Sequence, residues 1–278
     1  MTCNASLSDL PGPVAGPTLV LCAVEEVLRV VLAEAGRVRE AFSAKGQGVA
    51  MTFLVPAMAE ALSRAGMSPA GLAGVACVCG PGSFTGIRVS LAVAEGLRLG
   101  TGIPLWGLAY PPLVARAAFA LRPGAKRVAA VVHARKGLTY VQAFTARAGQ
   151  APSPVGPVRV LPAPLAAQAA WESFFPPDGE GAFEDAAVVG SGLRNNREAF
   201  AAVFPEACLL SDEAAFPDAD ILAAAATGPA RDAVLPPDPI YQRPSDAEEN
   251  LADISRRRGL DPDRAKALLA AAMASGVA

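Results

Sequence analysis

Residues 80–88 read GPGSFTGIR, set between the apolar run VACVC and the stretch VSLAVAEGLRLG. A strand that breaks on glycines and re-enters a helix can aim backbone amides at a phosphate, because the first amides of a helix have no intrahelical acceptor. Nucleoside triphosphates ask for more: a lysine and a magnesium-binding hydroxyl at the G-x-x-x-x-G-K-[ST] spacing. That spacing does not occur here, and neither does a dinucleotide-type G-x-G-x-x-G. What remains is Gly82 for a tight turn, Ser83 or Thr85 as a helix N-cap, and Gly86 where another segment packs close to the helix. Other chemistry-bearing residues are sparse. His133 is the one histidine, at a strand end, and reads as a structural group. Cys77 and Cys79 face one side of a strand without further ligands at zinc spacing, so the five cysteines read as reduced, buried small hydrophobes that bind no metal.

Composition narrows the partners. A net charge of −2 and a pI near 5.6 supply no basic field, which disfavours direct, tight binding of tRNA or DNA. With 278 residues, 52% hydrophobic and 18% charged, the chain can bury one large core or two modest lobes. The segment MTCNASLSDLPGP has neither a basic n-region nor an apolar h-region, and no run reaches the roughly 18 apolar residues of a membrane span. These features predict a cytoplasmic protein.

The elements that must position the glycine turn follow from periodicity. TLVLCAV (18–24) and VLRVVLAEAGRVREAF (27–42), turning at Glu34-Ala35-Gly36, predict a three-stranded meander. Residues 53–65 carry Phe53, Leu54, Met58, Ala61 and Leu62 at helical spacing; Gly66 caps the end, and Pro56 places the regular start near Val55. GVACVC (74–79) is a strand, the glycine turn leads to a helix ending near Leu99, and PLWGL (104–108) is a strand. A second pass of the same β-β-β-α-β-α plan uses strands within 126–146 and at 157–161, a helix over 163–175, a strand at 186–190 and the helix REAFAAVF. This predicts a duplicated α/β architecture; the alternative is one irregular α/β sheet. The Pro-rich stretches 150–158 and 228–239 read as surface crossings. The helix after the turn is apolar nearly all round, so it expects cover on more than one side. Its stripe Arg88, Ala92, Glu95 and Leu99 mixes charge with small and apolar groups, as partner-facing stripes do.

The run GPGSFTGIRVSLAVAEGLRLGTGIPLWGL closely resembles the signature of the TsaB (YeaZ) family. The likeness extends through AEALSRAGMSPAGLAGVACVC, VVHARKGLTYVQAF, FPDADILAAAA and PIYQR, covering most of residues 18–243. The resemblance implies an actin-like ATPase (ASKHA) fold with two ribonuclease-H-like lobes: 17–109, 110–243, and then a helical extension over 244–278. It also implies a non-enzymatic subunit of the bacterial tRNA threonylcarbamoyladenosine synthase, required for modification of adenosine-37 of ANN-decoding tRNAs. Its partner would be TsaD, with TsaE in the larger complex, tRNA met only indirectly, no cofactor, and a homodimer possible in isolation. The TsaD-facing surface would comprise Phe53, Leu54, Met58, Ala61, Leu62, Arg88, Leu91, Ala92, Glu95 and Leu99. The signature turn, Gly80, Pro81, Gly82, Ser83, Phe84, Thr85 and Gly86, would shape the start of the interface helix and hold no phosphate.

Some positions depart from the family pattern. Cys22-Ala23 stands where relatives carry Asp-Thr, Ala50-Met51-Thr52 where they carry His-Ser-Glu, and His133-Ala134-Arg135 where they carry Asp-Ala-Arg. The alternatives are a degenerate actin-like kinase or ATPase, or a self-associating scaffold without a tRNA role. In the extension, Ser245 and Glu248 have capping-box spacing, Gly259 divides two helices, and Arg256-Arg257-Arg258 reads as a solvated helix end.

Overall fold

The structure, a computed structural model, describes residues 15–135, 137–146, 151–175, 183–228, 233–241 and 251–274. Strand β1 (Thr18–Cys22) is buried along its whole length, which is why TLVLC is an unbroken apolar run and not an alternation. It pairs antiparallel with β2 (Val27–Glu34), which turns through Ala35 and Gly36, both at positive φ, into β3 (Arg37–Lys45). Helix α1 (Val49–Arg64) leads to β4 (Gly74–Gly80), parallel to β1. Helix α2 (Phe84–Thr101) then leads to β5 (Leu105–Ala109), parallel to β4. Helix α3 (Tyr110–Leu121) carries the chain to a second sheet of β6 (Arg127–Arg135), β7 (Leu138–Thr145), β8 (Ser153–Pro162) and, after α4 (Ala163–Phe174), β9 (Ala186–Val189). Short helices α5 (Ser191–Asn195) and α6 (Arg197–Ala201) follow. Strand order β3-β2-β1-β4 in the first sheet matches β8-β7-β6-β9 in the second, so the duplicated β-β-β-α-β-α plan is present and the single irregular sheet is not.

Three cores divide the molecule into layers. Leu54, Ala57 and Leu62 of α1 pack with Leu19 and Leu21 on the outer face of the first sheet. Ala166, Ala170 and Phe200 cover the outer face of the second. Between the sheets, Leu113 and Val114 of α3 and Leu222 of α7 (Ala219–Thr227) join Val20 and Val31 to Val128 and Val132.

The structure differs from the sequence expectations in several places. Helix α1 starts at Val49, not near Val55, and Pro56 lies inside it on the exposed side. An interior proline costs roughly 3 kcal/mol. Burial of Val49, Ala50 and Leu54 on both sides of the first turns offsets that cost. Residues 153–158, expected as a surface crossing, belong to β8, an edge strand, where a proline without N–H breaks no ladder on its open side. Within 110–243, α7 packs on β2 and β3, and β10 (Val234–Leu235) pairs with β5, so this part of the chain returns to the first sheet. The Gly36 N–H donates to Thr227 Oγ1 at 2.7 Å and ties α7 to the β2–β3 turn.

Residues 241–278 form a separate unit, in which α8 (Leu251–Arg257) and α9 (Pro262–Ala274) are divided at Gly259, at φ 69°. Arg256 pairs with exposed Asp253 at 2.5 Å on the solvated end of α8. Ser245, Glu248 and Cys3 lie outside the described residues. No helix among the described residues is long and apolar enough to cross a membrane.

Candidate functional site

The glycine turn rests on the backbone that follows β1. A Cβ on Gly82 would lie 2.1 Å from the Val24 carbonyl oxygen, and one on Gly86 would lie 1.8 Å from that of Ala23. Ser83 N–H donates to the Val24 carbonyl at 2.6 Å, and Gly86 N–H donates to Ser83 Oγ at 3.2 Å. The Gly80–Pro81 bond is cis, and Arg88 stacks over Phe84 with its guanidinium 3.7 Å from the ring centre. The Ser83 and Gly86 amides are therefore spent on the chain itself, and Ser83, not Thr85, is the cap. Ser83→Ala should cost about 1 kcal/mol, a fall of about 2–4 °C in Tm for a chain of this size. Thermal melting checks it; an unchanged Tm would mean the cap contributes nothing.

Helices α1 and α2 lie side by side over the first sheet, and their faces sort the expected interface residues. Leu54 and Leu62 pack in the lobe's own core, and Ala61 is buried, so in the free chain these three face inward and not outward as the expected partner surface has them. Phe53, Arg88, Ala92 and Leu99 are exposed, while Met58, Leu91 and Glu95 are half-buried. Arg98 pairs with Glu95 at 2.5 Å and holds its carboxyl below the usual range. Two residues that spacing missed, Met51 and Val55, stand 70% and 52% exposed beside Phe53 at 46%, and Leu99 is 72% exposed. Helical spacing identified a face but not its orientation, because Pro56 placed the start of α1 too late. Large apolar groups in that number on one short stretch of helix are what a covered surface carries.

A cleft of about 280 Å³ opens between the two sheets, lined by Glu25, Glu26, Gly48, His133, Ser191 and Arg194 among others. The two acids are not among the residues that motif and spacing single out. Their signal was an adjacent pair, Glu25-Glu26, inside the apolar run CAVEEVLRVV. Glu25 is half-buried as a residue, but its carboxyl is surrounded by protein. Ser191 Oγ–H donates to one oxygen, and the Tyr110 hydroxyl donates to the other at 2.6 Å. Burial pushes the Glu25 carboxyl up to about 7, against the pull of these hydroxyls and of Arg194. Burial would raise Glu26 too, but Arg194 at 2.8 Å and Lys45 at 3.2 Å hold it below the usual range.

Neighbouring groups offer little reactivity. Burial pushes the Cys22 thiol up to about 12, and Cys77 is raised by the Cys79 thiol beside it and by burial, so both keep their protons. Cys22, Cys77, Cys79 and Cys208 are buried and carry no disulfide. The backbone N–H of His133 donates to Ser191 Oγ at 2.9 Å. Among the described residues, no three His, Cys, Asp or Glu side chains converge as a metal would require.

Comparison with known proteins places this geometry. The family model described as "TsaD: tRNA N6-adenosine threonylcarbamoyltransferase" matches residues 51–230, through both sheets. The tRNA threonylcarbamoyladenosine biosynthesis protein TsaB of Escherichia coli (strain K12) is 36% identical over 87 residues, 31% of this chain and 37% of that protein. Its counterpart in Haemophilus influenzae is 34% identical over 87 residues, 31% of this chain and 36% of that protein. The chain thus spans little more than a third of the length of these curated relatives. Among solved structures, YeaZ from Pseudomonas aeruginosa superposes with a TM-score of 0.61 at 23% identity, over 81% of this chain and 99% of that one. That likeness bears on the fold, an α/β actin-like arrangement of two lobes.

Proposed function

Because this chain belongs to the threonylcarbamoyltransferase-type family and, within it, to the TsaB (YeaZ) kind, we propose that it is the non-catalytic partner of TsaD in forming threonylcarbamoyladenosine at position 37 of tRNA. In this reading TsaD performs the transfer, TsaE joins the larger complex, and tRNA meets this chain only indirectly. The observation that carries the proposal is the outward part of α1 and α2: Met51, Phe53 and Val55 on α1, and Arg88, Ala92 and Leu99 on α2, stand exposed on helices otherwise anchored in the core. A helix pair with one face on its sheet and an apolar second face suits a helical partner, since each exposed apolar side chain buried at an interface adds to association. The test is co-purification of this chain with TsaD. Stable co-elution supports the proposal; separate elution, with this chain self-associated, would replace TsaD by a second copy.

The same reading predicts neither ATP hydrolysis nor tight nucleotide binding by the isolated chain. Two amides of the glycine turn, those of Ser83 and Gly86, are engaged by Val24 and Ser83, and Cys22 stands where an actin-like ATPase would direct a carboxylate to magnesium. Calorimetry with ATP and magnesium should give no heat above dilution. A micromolar Kd for the lone chain would overturn this.

A further inference from the structure

A strap of chain returning from the second sheet lies along the β5 edge of the first. It begins with β10, paired antiparallel to β5, where the Ala109 N–H also donates to the Ala233 carbonyl at 2.8 Å. Pro236, Pro237 and Pro239 follow, and their rings fix φ and limit the freedom of the segment. The Asp238 N–H donates to the Pro236 carbonyl at 2.8 Å and reverses the chain. Gly107 leaves room for this path over β5: a Cβ there would lie 2.5 Å from both Leu235 Cδ1 and the Pro236 carbonyl oxygen, and 2.9 Å from Cys79 Sγ. The strap then reaches β4, where the Ile240 N–H donates to the Cys79 carbonyl at 2.8 Å. The pairing of β4 with β5 slips between Val78 and Gly80, and Cys79 is the residue passed over. Such a slip leaves one residue outside the ladder, and the strap supplies its carbonyl with a donor.

Strap and helix α2 meet at Gly80. A Cβ on this residue, whose φ is 108°, would lie 3.3 Å from the Ile240 carbonyl oxygen and 2.8 Å from Cδ1 of Ile87, a fully buried residue of α2. On the other flank of β4, Gly82 and Gly86 sit on the carbonyls of Val24 and Ala23 beyond β1. The start of α2 is thus seated between two supports, one on each side of the strand that feeds it. We propose that the strap 234–240 positions α2 through the Ile240–Cys79 hydrogen bond, so that residues remote from the exposed face of α2 set the orientation in which that face is presented. As far as it concerns a partner, this rests on the reading of α1 and α2 as the surface that meets TsaD. Cys79 is buried, and a buried carbonyl deprived of its donor draws the backbone toward water. Gly80 and Ile87 would move with it.

Hydrogen exchange of the full chain, read by mass spectrometry, tests the seat without any partner. Ile240→Pro removes the N–H, and peptides covering residues 79–90 should lose protection on the order of tenfold, while those in β2, β7 and β8 keep theirs. Ile240→Ala keeps the N–H and should stay near the wild type. Unchanged protection of 79–90 in Ile240→Pro, an equal loss in Ile240→Ala, or a loss spread evenly over both sheets would overturn the proposal. Titration with TsaD reads the consequence: Ile240→Pro should raise Kd by about three- to tenfold, the cost of restoring the seat. Lost protection with an unchanged Kd would overturn the positioning role. A wild-type chain that does not bind TsaD would overturn the choice of partner, and the exchange result then decides the strap by itself.

Discussion

Ala92→Glu should abolish co-elution with TsaD while leaving the melting curve of the isolated chain unchanged. Ala92 is exposed on α2, in the stripe with Arg88 and Leu99, and Glu95 beside it is already paired with Arg98. In the free chain the new carboxylate would remain in water, where a surface change stays within about ±0.5 kcal/mol. In a complex, a neighbouring helix must approach a small residue closely, and an unpaired charge trapped there costs several kcal/mol, roughly the scale measured for a broken buried pair. Paired melting and co-elution measurements read the two effects separately. Intact co-elution would mean that this face is not the interface. A collapsed melting curve would place Ala92 in the core, against its exposure.

Gly86→Ala should destabilise the chain by about 3 kcal/mol or more, a fall of at least about 6 °C in Tm for a chain this long. Alanine normally improves a helix over glycine by about 1 kcal/mol. At Gly86 the sign reverses, because the added methyl would sit 1.8 Å from the Ala23 carbonyl oxygen and neither side of that contact is a flexible side chain. The clash pushes α2 off the turn that follows β1. Gly96, on the same helix, has nothing within 4 Å of its would-be Cβ. Gly96→Ala should therefore stabilise by about 0.5–1 kcal/mol. Denaturant titration of both variants decides the matter: two changes of the same sign would mean that the close approach at Gly86 carries no strain.

What the sequence determined by itself was whatever depends on neighbours in the chain. The β1–β2–β3 meander and its turn at Ala35-Gly36 were legible because alternation, apolar runs and turn residues are local signals. Repetition of that signal made the duplicated plan visible. The glycine run could be denied a P-loop role because that role requires a fixed local spacing. Tertiary structure decided the rest. Whether Leu54 or Phe53 faces outward depends on where the sheet lies under α1, and burial of Val49 and Leu54 carried the helix through Pro56 against its local preference. The return of α7 and β10 to the first sheet follows from which strands offer them apolar cover. The Glu25 cluster was least accessible of all: Tyr110 lies 85 residues from Glu25 and Ser191 lies 166 residues from it. No periodicity connects such positions; only closing the two sheets on one another brings their oxygens within hydrogen-bonding reach and raises the carboxyl by taking it out of water.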